Sequence, residues 1–220
     1  MKGTFLVTGT DTDCGKTHIS CALLRAWRRR GLSVAARKPV ESGCLSDGKM
    51  MVPADAVALR EAAGSAESLE EVCALRLEEA LAPGIAADRA GYHLDLDTLA
   101  ETYRARAQSV DVLLVEGAGG LLVPLAGDRD CIEFARMIGA RLIVVVGVRL
   151  GGLNHAMLTL QAARNRGCEV EGVVLNHLQP IPDLATVTFR ESFVTLDPAP
   201  ILAEIPFADD GVDLLERTLR

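Results

Sequence analysis

A lysine and a threonine side by side, entered through a glycine-rich turn, are the residues of this chain best placed to do chemistry. The segment Gly9-Thr10-Asp11-Thr12-Asp13-Cys14-Gly15-Lys16-Thr17 follows the apolar run Phe5-Leu6-Val7. A buried strand that delivers such a turn to a helix start lets consecutive backbone N–H groups face an anion, with the positive end of the helix behind them. The segment reads as a phosphate-binding loop, in which Lys16 reaches the β and γ phosphates and the Thr17 hydroxyl takes Mg²⁺. Its spacing departs from the strict motif, because five residues separate Gly9 from Gly15 and Thr10 stands where the first glycine is usually written. The competing reading is a turn with a solvated lysine. Against it stands the helical apolar spacing of Ile19, Ala22, Leu23, Ala26 and Trp27, which supplies the helix that the loop needs.

Other polar residues sit where apolar runs end. Lys38, in Arg37-Lys38-Pro39-Val40-Glu41-Ser42-Gly43, can hold an anion or a developing negative charge, or be a surface cation. Asp55 can be a metal ligand or can stabilise a helix N-terminus. Glu116 follows Asp111-Val112-Leu113-Leu114-Val115, where phosphate-loop enzymes place a carboxylate that reaches Mg²⁺, and Gly117-Ala118-Gly119-Gly120 lets a substrate approach the backbone. Gly151 and Gly152 precede a helix whose free N–H groups can receive a carboxylate. Asn176, after Val173-Val174-Leu175, can donate to and accept from a purine edge or simply occupy a strand-terminal turn. His155 and His177 have no partners at metal spacing and are assigned no metal; His18 and His93 lack a catalytic constellation. No Ser/His/Asp or Cys/His arrangement emerges.

The elements that must carry these residues follow from pattern. Strands are predicted near 4–9, 33–38, 111–116, 141–147, 171–176 and 200–205. Helices are predicted near 16–30, 54–63, 95–109, 130–138, 153–166 and 212–219, with irregular or helical pieces in 66–92 and 183–195. Apolar runs alternating with amphipathic stretches predict an α/β fold, a mostly parallel sheet flanked by helices, with ligands at the carboxyl ends of the strands. The 220 residues predict one domain, 1–220, with a sizeable core. Hydrophobic residues make up 49% and the formal charge is −7, which argues against general affinity for nucleic acid or acidic membranes and points to small-molecule partners. The basic run Arg25, Arg28, Arg29 and Arg30 reads as a solvated helix end before Gly31. Six scattered cysteines without a C-x-x-C pair, and no signal-peptide core, predict reduced thiols in the cytoplasm. No apolar run approaches a membrane span; the longest, Leu142 to Val148, reads as a strand.

Five ordered segments resemble the dethiobiotin synthetase family, P-loop enzymes that close the ureido ring in biotin synthesis. They are the loop Val7–Thr17, Lys38–Gly43, Val115–Gly120, Gly151-Gly152-Leu153-Asn154-His155-Ala156-Met157-Leu158-Thr159, and Ala203-Glu204-Ile205-Pro206. The resemblance covers nearly the whole chain, and the family's loop has the same longer spacing. It implies a homodimer using ATP, Mg²⁺, CO₂ and 7,8-diaminononanoate. By position Thr17, Asp55 and Glu116 match the family's magnesium ligands, and Thr12, Lys16 and Lys38 match catalytic residues around the phosphates and the carbamate. Asp13, Cys14, Gly15, Lys16, Thr17, Asn176 and Pro206 match ATP contacts. Ser42, Gly117, Ala118, Gly119 and Gly120 match substrate contacts, as do Gly151, Gly152, Leu153 and Asn154, which the family contributes from the neighbouring subunit. Cys14 replaces a common valine, and Phe189 stands where some relatives carry a substrate-contacting tyrosine. The alternatives are a related amidoligase, for which 220 residues leave little room, and a regulatory or partitioning ATPase, which usually adds a second loop lysine or a basic or amphipathic tail.

Overall fold

The computed structural model describes residues 1–46, 48, 50–197 and 199–219. Its strands are β1 (Gly3–Gly9), β2 (Val34–Ser42), β3 (Leu45–Ser46), β4 (Met51–Val52), β5 (Cys73–Leu77), β6 (Val112–Gly120), β7 (Pro124–Ala126), β8 (Arg129–Asp130), β9 (Arg141–Val148), β10 (Val170–His177) and β11 (Ile201–Ile205). Its helices are α1 (Lys16–Arg29), α2 (Ala54–Ala63), α3 (Leu69–Val72), α4 (Pro83–Arg89), α5 (Leu96–Ala107), α6 (Cys131–Met137), α7 (Gly152–Asn165), α8 (Leu184–Val187), α9 (Phe189–Leu196) and α10 (Val212–Thr218). Seven strands form one sheet in the order β11-β10-β9-β1-β6-β2-β5, and each of its ladders is parallel.

Helices cover both faces, so the central strands read as unbroken apolar runs: Phe5, Leu6 and Val7 in β1 and Leu142 to Val146 in β9 are inaccessible to solvent. Strand periodicity divides them. Phe5, Val7, Ala36, Val112 and Leu114 pack with α1, α2 and α10, whereas Leu6, Ala35, Leu113 and Val115 pack with α5 and α6. Trp27 of α1 stacks on Phe5, ring centroids 5.4 Å apart.

Two expectations are corrected. The region 66–92 contains the edge strand β5, which pairs only with β2. Its alternation of buried Cys73 and Leu77 with exposed Ala74 and a charged Arg76 lacks the apolar run by which the interior strands are recognised. Strands β2 and β6 run on to Ser42 and Gly120, beyond the expected ends at 38 and 116. The arginine run is the exposed helix end expected, and it also makes contacts: Arg28 donates to the Ala62 carbonyl of α2 (3.1 Å), and Arg29 and Arg30 donate to Asp213 Oδ1 (2.6 Å) and the Glu216 carbonyl (3.0 Å) of α10. Those partners come from distant segments, so neither spacing nor charge pattern signals them. Among the described residues no helix is long and apolar enough to cross a membrane, and all six cysteines are free and buried.

Arg37 faces the α5 side, where its guanidinium makes a two-pronged contact with Glu67 (2.6 and 3.1 Å) that Arg106 joins (2.9 Å). Burial works against ionisation of Glu67, but the Arg37 guanidinium outweighs it and holds the carboxyl at about 2. A depressed carboxyl pKa stabilises the fold fully above the unfolded value, near 4.5, and that contribution is lost as pH falls toward 2. Glu67→Ala, which strands a buried arginine, is therefore expected to cost about 3 kcal/mol at pH 7 and to flatten the fall of stability between these pH values. Urea unfolding across the acid range checks it; a parallel offset at every pH would show that ionisation of Glu67 is not coupled to folding.

Candidate active site

The site lies where the sheet parts. Val34 to Arg37 of β2 pair with Val112 to Val115 of β6, but from Lys38 to Ser42 the strand pairs with β5 instead. The pairing of β6 with β1 shifts after Val7 and Glu116 and resumes at Gly9 and Gly120. The carboxyl halves of β2 and β6 thus diverge. Lys38 and Glu116 follow Ala36 and Leu114 by two residues, so both turn to the face covered by α1 and α2.

Across this opening Lys38 Nζ donates to Glu116 Oε1 (2.6 Å) and to Asp55 Oδ2 at the start of α2 (2.7 Å). Thr17, in the first turn of α1, donates its hydroxyl to the same Glu116 Oε1 (2.9 Å). The Lys38 side chain is 4% exposed and that of Glu116 is inaccessible. Burial opposes charge on Lys38, but the Glu116 and Asp55 carboxylates prevail and raise its pKa. Burial likewise opposes ionisation of Asp55, and the Lys38 ammonium more than offsets it, so that carboxyl is lowered.

Gly15 caps α1 with φ 93°, in the left-handed region, and a Cβ there would lie 2.2 Å from Asn176 Nδ2. Glycine is thus required on both counts. Asn176 Nδ2 donates to the Cys14 carbonyl (2.9 Å), bracing the loop from the end of β10. Lys16 Nζ bends back over the loop and donates to the Asp11 and Thr12 carbonyls, each at 2.9 Å.

Glu41 is a participant that no sequence signal reveals. Pro53, the residue capping α2, offers no side-chain acceptor, and the Glu41 carboxylate takes that place by accepting from the Asp55 and Ala56 amides (2.9 and 3.0 Å). Burial pushes its carboxyl pKa up, against the two amide bonds. No capping motif marks it, because the cap comes from strand β2, more than ten residues upstream, rather than from the helix's own start.

The structure brings Thr12, Asp13, Gly15, Lys16, Thr17, Lys38, Ser42, Asp55, Ala118 and Gly119 around one cavity of about 390 Å³, joined by His18 and Glu41. Gly117 is buried and Gly120 pairs with Gly9 in the sheet. Cys14 lies on the other flank of the loop with Gly152, in a neighbouring cavity of about 340 Å³ that Asp11, Arg149 and His155 also line. There Arg149 donates to Asp11 Oδ2 (2.6 Å). Gly151 and Asn154 are exposed beside it, and Leu153 packs against the core. Pro206 lines a third, mainly apolar cavity of about 560 Å³ with His177, Glu204 and Phe207. Phe189 is a core residue, 1% exposed and packed with Val144, Leu160 and Phe193.

A parallel sheet whose central strand ends in a lysine-threonine loop at a helix start defines a P-loop nucleotide-binding α/β protein. The AAA domain family matches residues 3–213. The ATP-dependent dethiobiotin synthetase BioD of Pseudomonas paraeruginosa is 43% identical over 212 residues, 94% of this chain and 91% of that protein. That of Anaeromyxobacter dehalogenans is 40% identical, over 92% and 93%. The chain belongs to the ATP-dependent dethiobiotin synthetase family, a family of ATP-dependent ligases. Similar solved structures include a ParA family ATPase from Chlorobium tepidum (TM-score 0.57, 13% identity, 100% of this chain and 97% of that one). Another is the septum site-determining protein MinD complexed with Mg-ADP from Pyrococcus horikoshii (TM-score 0.52, 16% identity, 96% and 86%). At such identities these likenesses speak for the fold alone.

Proposed function

We propose that this chain, as a single domain in each subunit of a cytoplasmic homodimer, carboxylates 7,8-diaminononanoate with CO₂ and closes the ring to dethiobiotin, converting ATP to ADP and phosphate. The observation that carries the reading is the meeting of Lys16, Thr17, Lys38, Asp55 and Glu116 at one opening in the sheet, in a member of this family. One substrate amine adds CO₂ to give a carbamate anion. A carbamate oxygen then attacks the γ-phosphorus, the bond to the ADP oxygen breaks, and a carbamic-phosphoric anhydride forms. The second amine attacks the anhydride carbonyl, phosphate leaves, and the ring closes. Two anions must approach one another in the phosphoryl step. Lys16 and Lys38 offset that repulsion by position and charge, and the loop amides hold the phosphates. No nucleophilic side chain is needed, and Thr12 and Ser42 serve to orient substrate.

The residues fit Mg²⁺. Glu116 Oε2 is buried without a hydrogen-bond partner, and the Thr17 hydroxyl and Asp55 carboxylate belong to the same cluster. These are hard oxygen donors, and a hydroxyl with two carboxylates leaves positions for water and phosphate oxygens, as Mg²⁺ prefers. When bound, Mg²⁺ would neutralise charge on the transferring phosphates. Asp55→Asn and Glu116→Gln are each expected to raise the Mg²⁺ concentration for half-maximal turnover about tenfold or more, because an amide oxygen lacks the carboxylate's charge. Titrations that overlay the wild type would remove both residues from the ligand set.

The substrate anchor is assigned to a second copy of the chain. Gly151 and Asn154 are exposed, next to Leu150, which is 79% exposed, and their neighbours Gly152 and His155 line the cavity on the flank of the phosphate loop that Lys38 does not reach. Gly151 has φ 85°, and a Cβ added to it would meet no atom within 4 Å. Aspartate, which tolerates left-handed backbone better than most residues, therefore has room there, and its charge would repel a carboxylate. Gly151→Asp and Lys16→Gln proteins should each be nearly inactive. Subunit exchange should restore about a quarter to a half of wild-type activity, because one mixed site in each heterodimer escapes both lesions. No recovery in proven heterodimers would put anchor and loop in one chain.

The function as a whole is tested by mass-spectrometric detection of dethiobiotin from diaminononanoate, bicarbonate, ATP and Mg²⁺. A folded, ATP-binding protein that makes none would refute it. ATP hydrolysis stimulated by DNA or lipid, with no need for diaminononanoate, would favour a partitioning ATPase.

A further inference from the structure

We infer that His18 is a positioning residue for the nucleotide, tying the phosphate-binding helix to the segment 206–211 at the other end of the site. The inference rests on the reading of this site as an ATP site.

His18 follows Thr17 in the first turn of α1, is exposed to solvent, and lines the Lys16 cavity. Its Nε2 lies 2.8 Å from the backbone oxygen of Asp209, 191 residues away in sequence. A carbonyl only accepts, so Nε2 carries the proton and donates. The segment it holds has a defined shape. Ala208 adopts φ 61°, which disfavours any residue with a side chain. The Asp209 amide donates to the Pro206 carbonyl (3.1 Å), and the side chains of Asp209 and Asp210 accept from the Gly211 and Val212 amides (2.7 and 3.0 Å), leading into α10.

At the start of this segment Pro206 and Phe207 form a wall of the apolar cavity beyond β11, and Phe207 is 48% exposed there. A nucleotide presents two contrasting ends, a polyanion and a flat heterocycle. The Lys16 cavity suits the first and the proline- and aromatic-lined cavity suits the second. Affinity for the whole ligand depends on both being held in register before binding. At the last turn of α1 Arg29 joins Asp213 in the first turn of α10, so the carboxyl end of α1 is fastened to α10 without His18. His18 supplies the tie at the ligand end.

The test compares ATP with inorganic tripolyphosphate, which has the anionic end alone, by calorimetry in the presence of Mg²⁺. His18→Ala should weaken ATP about 3- to 10-fold, the worth of one hydrogen bond, and weaken tripolyphosphate distinctly less. In turnover the loss should fall on KM for ATP more than on kcat. His18→Gln, whose amide can donate to the Asp209 carbonyl, should recover most of the loss. Without nucleotide, the Gly211 and Val212 amides should exchange hydrogen faster in His18→Ala than in wild type. Unchanged ATP affinity, equal weakening of ATP and tripolyphosphate, or unchanged exchange would each overturn the positioning role. A wild-type protein that binds tripolyphosphate but gains nothing from the nucleoside would overturn it too, whereas one that binds neither ligand overturns the ATP reading beneath it.

Discussion

Lys16→Gln is expected to lower kcat about 100- to 1,000-fold while the protein stays folded, the loss typical of removing one preorganised group that stabilises transition-state charge. In the free protein Lys16 Nζ donates to the Asp11 and Thr12 carbonyls. A glutamine amide can donate to the same region, so the loop keeps its shape and the amide cradle its direction. What disappears is a mobile cation that can leave those carbonyls and follow charge as it moves from the γ-phosphoryl group to the ADP oxygen. Single-turnover rates and a thermal melt decide the matter. A kcat within about threefold of wild type, with Tm unchanged, would mean that Lys16 is no more than a lid on its own loop.

Lys38→Met should produce a comparable loss of turnover by another route, and it should also reveal what the lysine does before any ligand arrives. Lys38 is the cation between Asp55 and Glu116, both within 2.7 Å of its Nζ. Methionine fills much of the same volume but leaves two carboxylates facing each other, one of them inaccessible to solvent. Removing one partner of a buried ion pair costs about 3–5 kcal/mol, so the variant should be less stable in chelator and should recover stability as Mg²⁺ is added. Its ATP affinity, measured with Mg²⁺ present, should hold while carbamate-dependent phosphoryl transfer is suppressed about 100-fold or more. If ATP affinity and turnover fall by the same factor, Lys38 is a nucleotide contact only.

The elements that position these lysines are legible because their signals are local. Apolar spacing marks the helix 54–63, and runs of valine, leucine and isoleucine mark the buried strands β1, β9 and β10. The glycine-rich approach to Lys16-Thr17 announces a loop with its amides turned inward, and the left-handed Gly15 against Asn176 is the steric reason for that glycine. Strand β5 leaves no such mark, because an edge strand buries only part of its length, and it pairs with β2 only from Lys38 onward, where the apolar pattern of β2 has already ended.

Much of the site is not written in any window of the chain. Lys38, Asp55 and Glu116 are each ordinary in sequence, since a strand lysine, a helix-start aspartate and a glutamate before glycines have common structural uses. They become a site because β2 leaves β6 for β5 after Arg37, and because strand periodicity sends Lys38 and Glu116 to the face where α1 presents Thr17. Glu41 capping another element's helix, Arg149 reaching Asp11, and His18 reaching Asp209 are likewise contacts between segments far apart in the chain. Periodicity, turn chemistry and helix-start signals act over a few residues, so the sequence alone could settle the parallel α/β architecture and the phosphate loop. Which strand ends stand together, and which charges therefore neutralise one another, depends on ladder order and on where two strands part, and only the folded chain decides that.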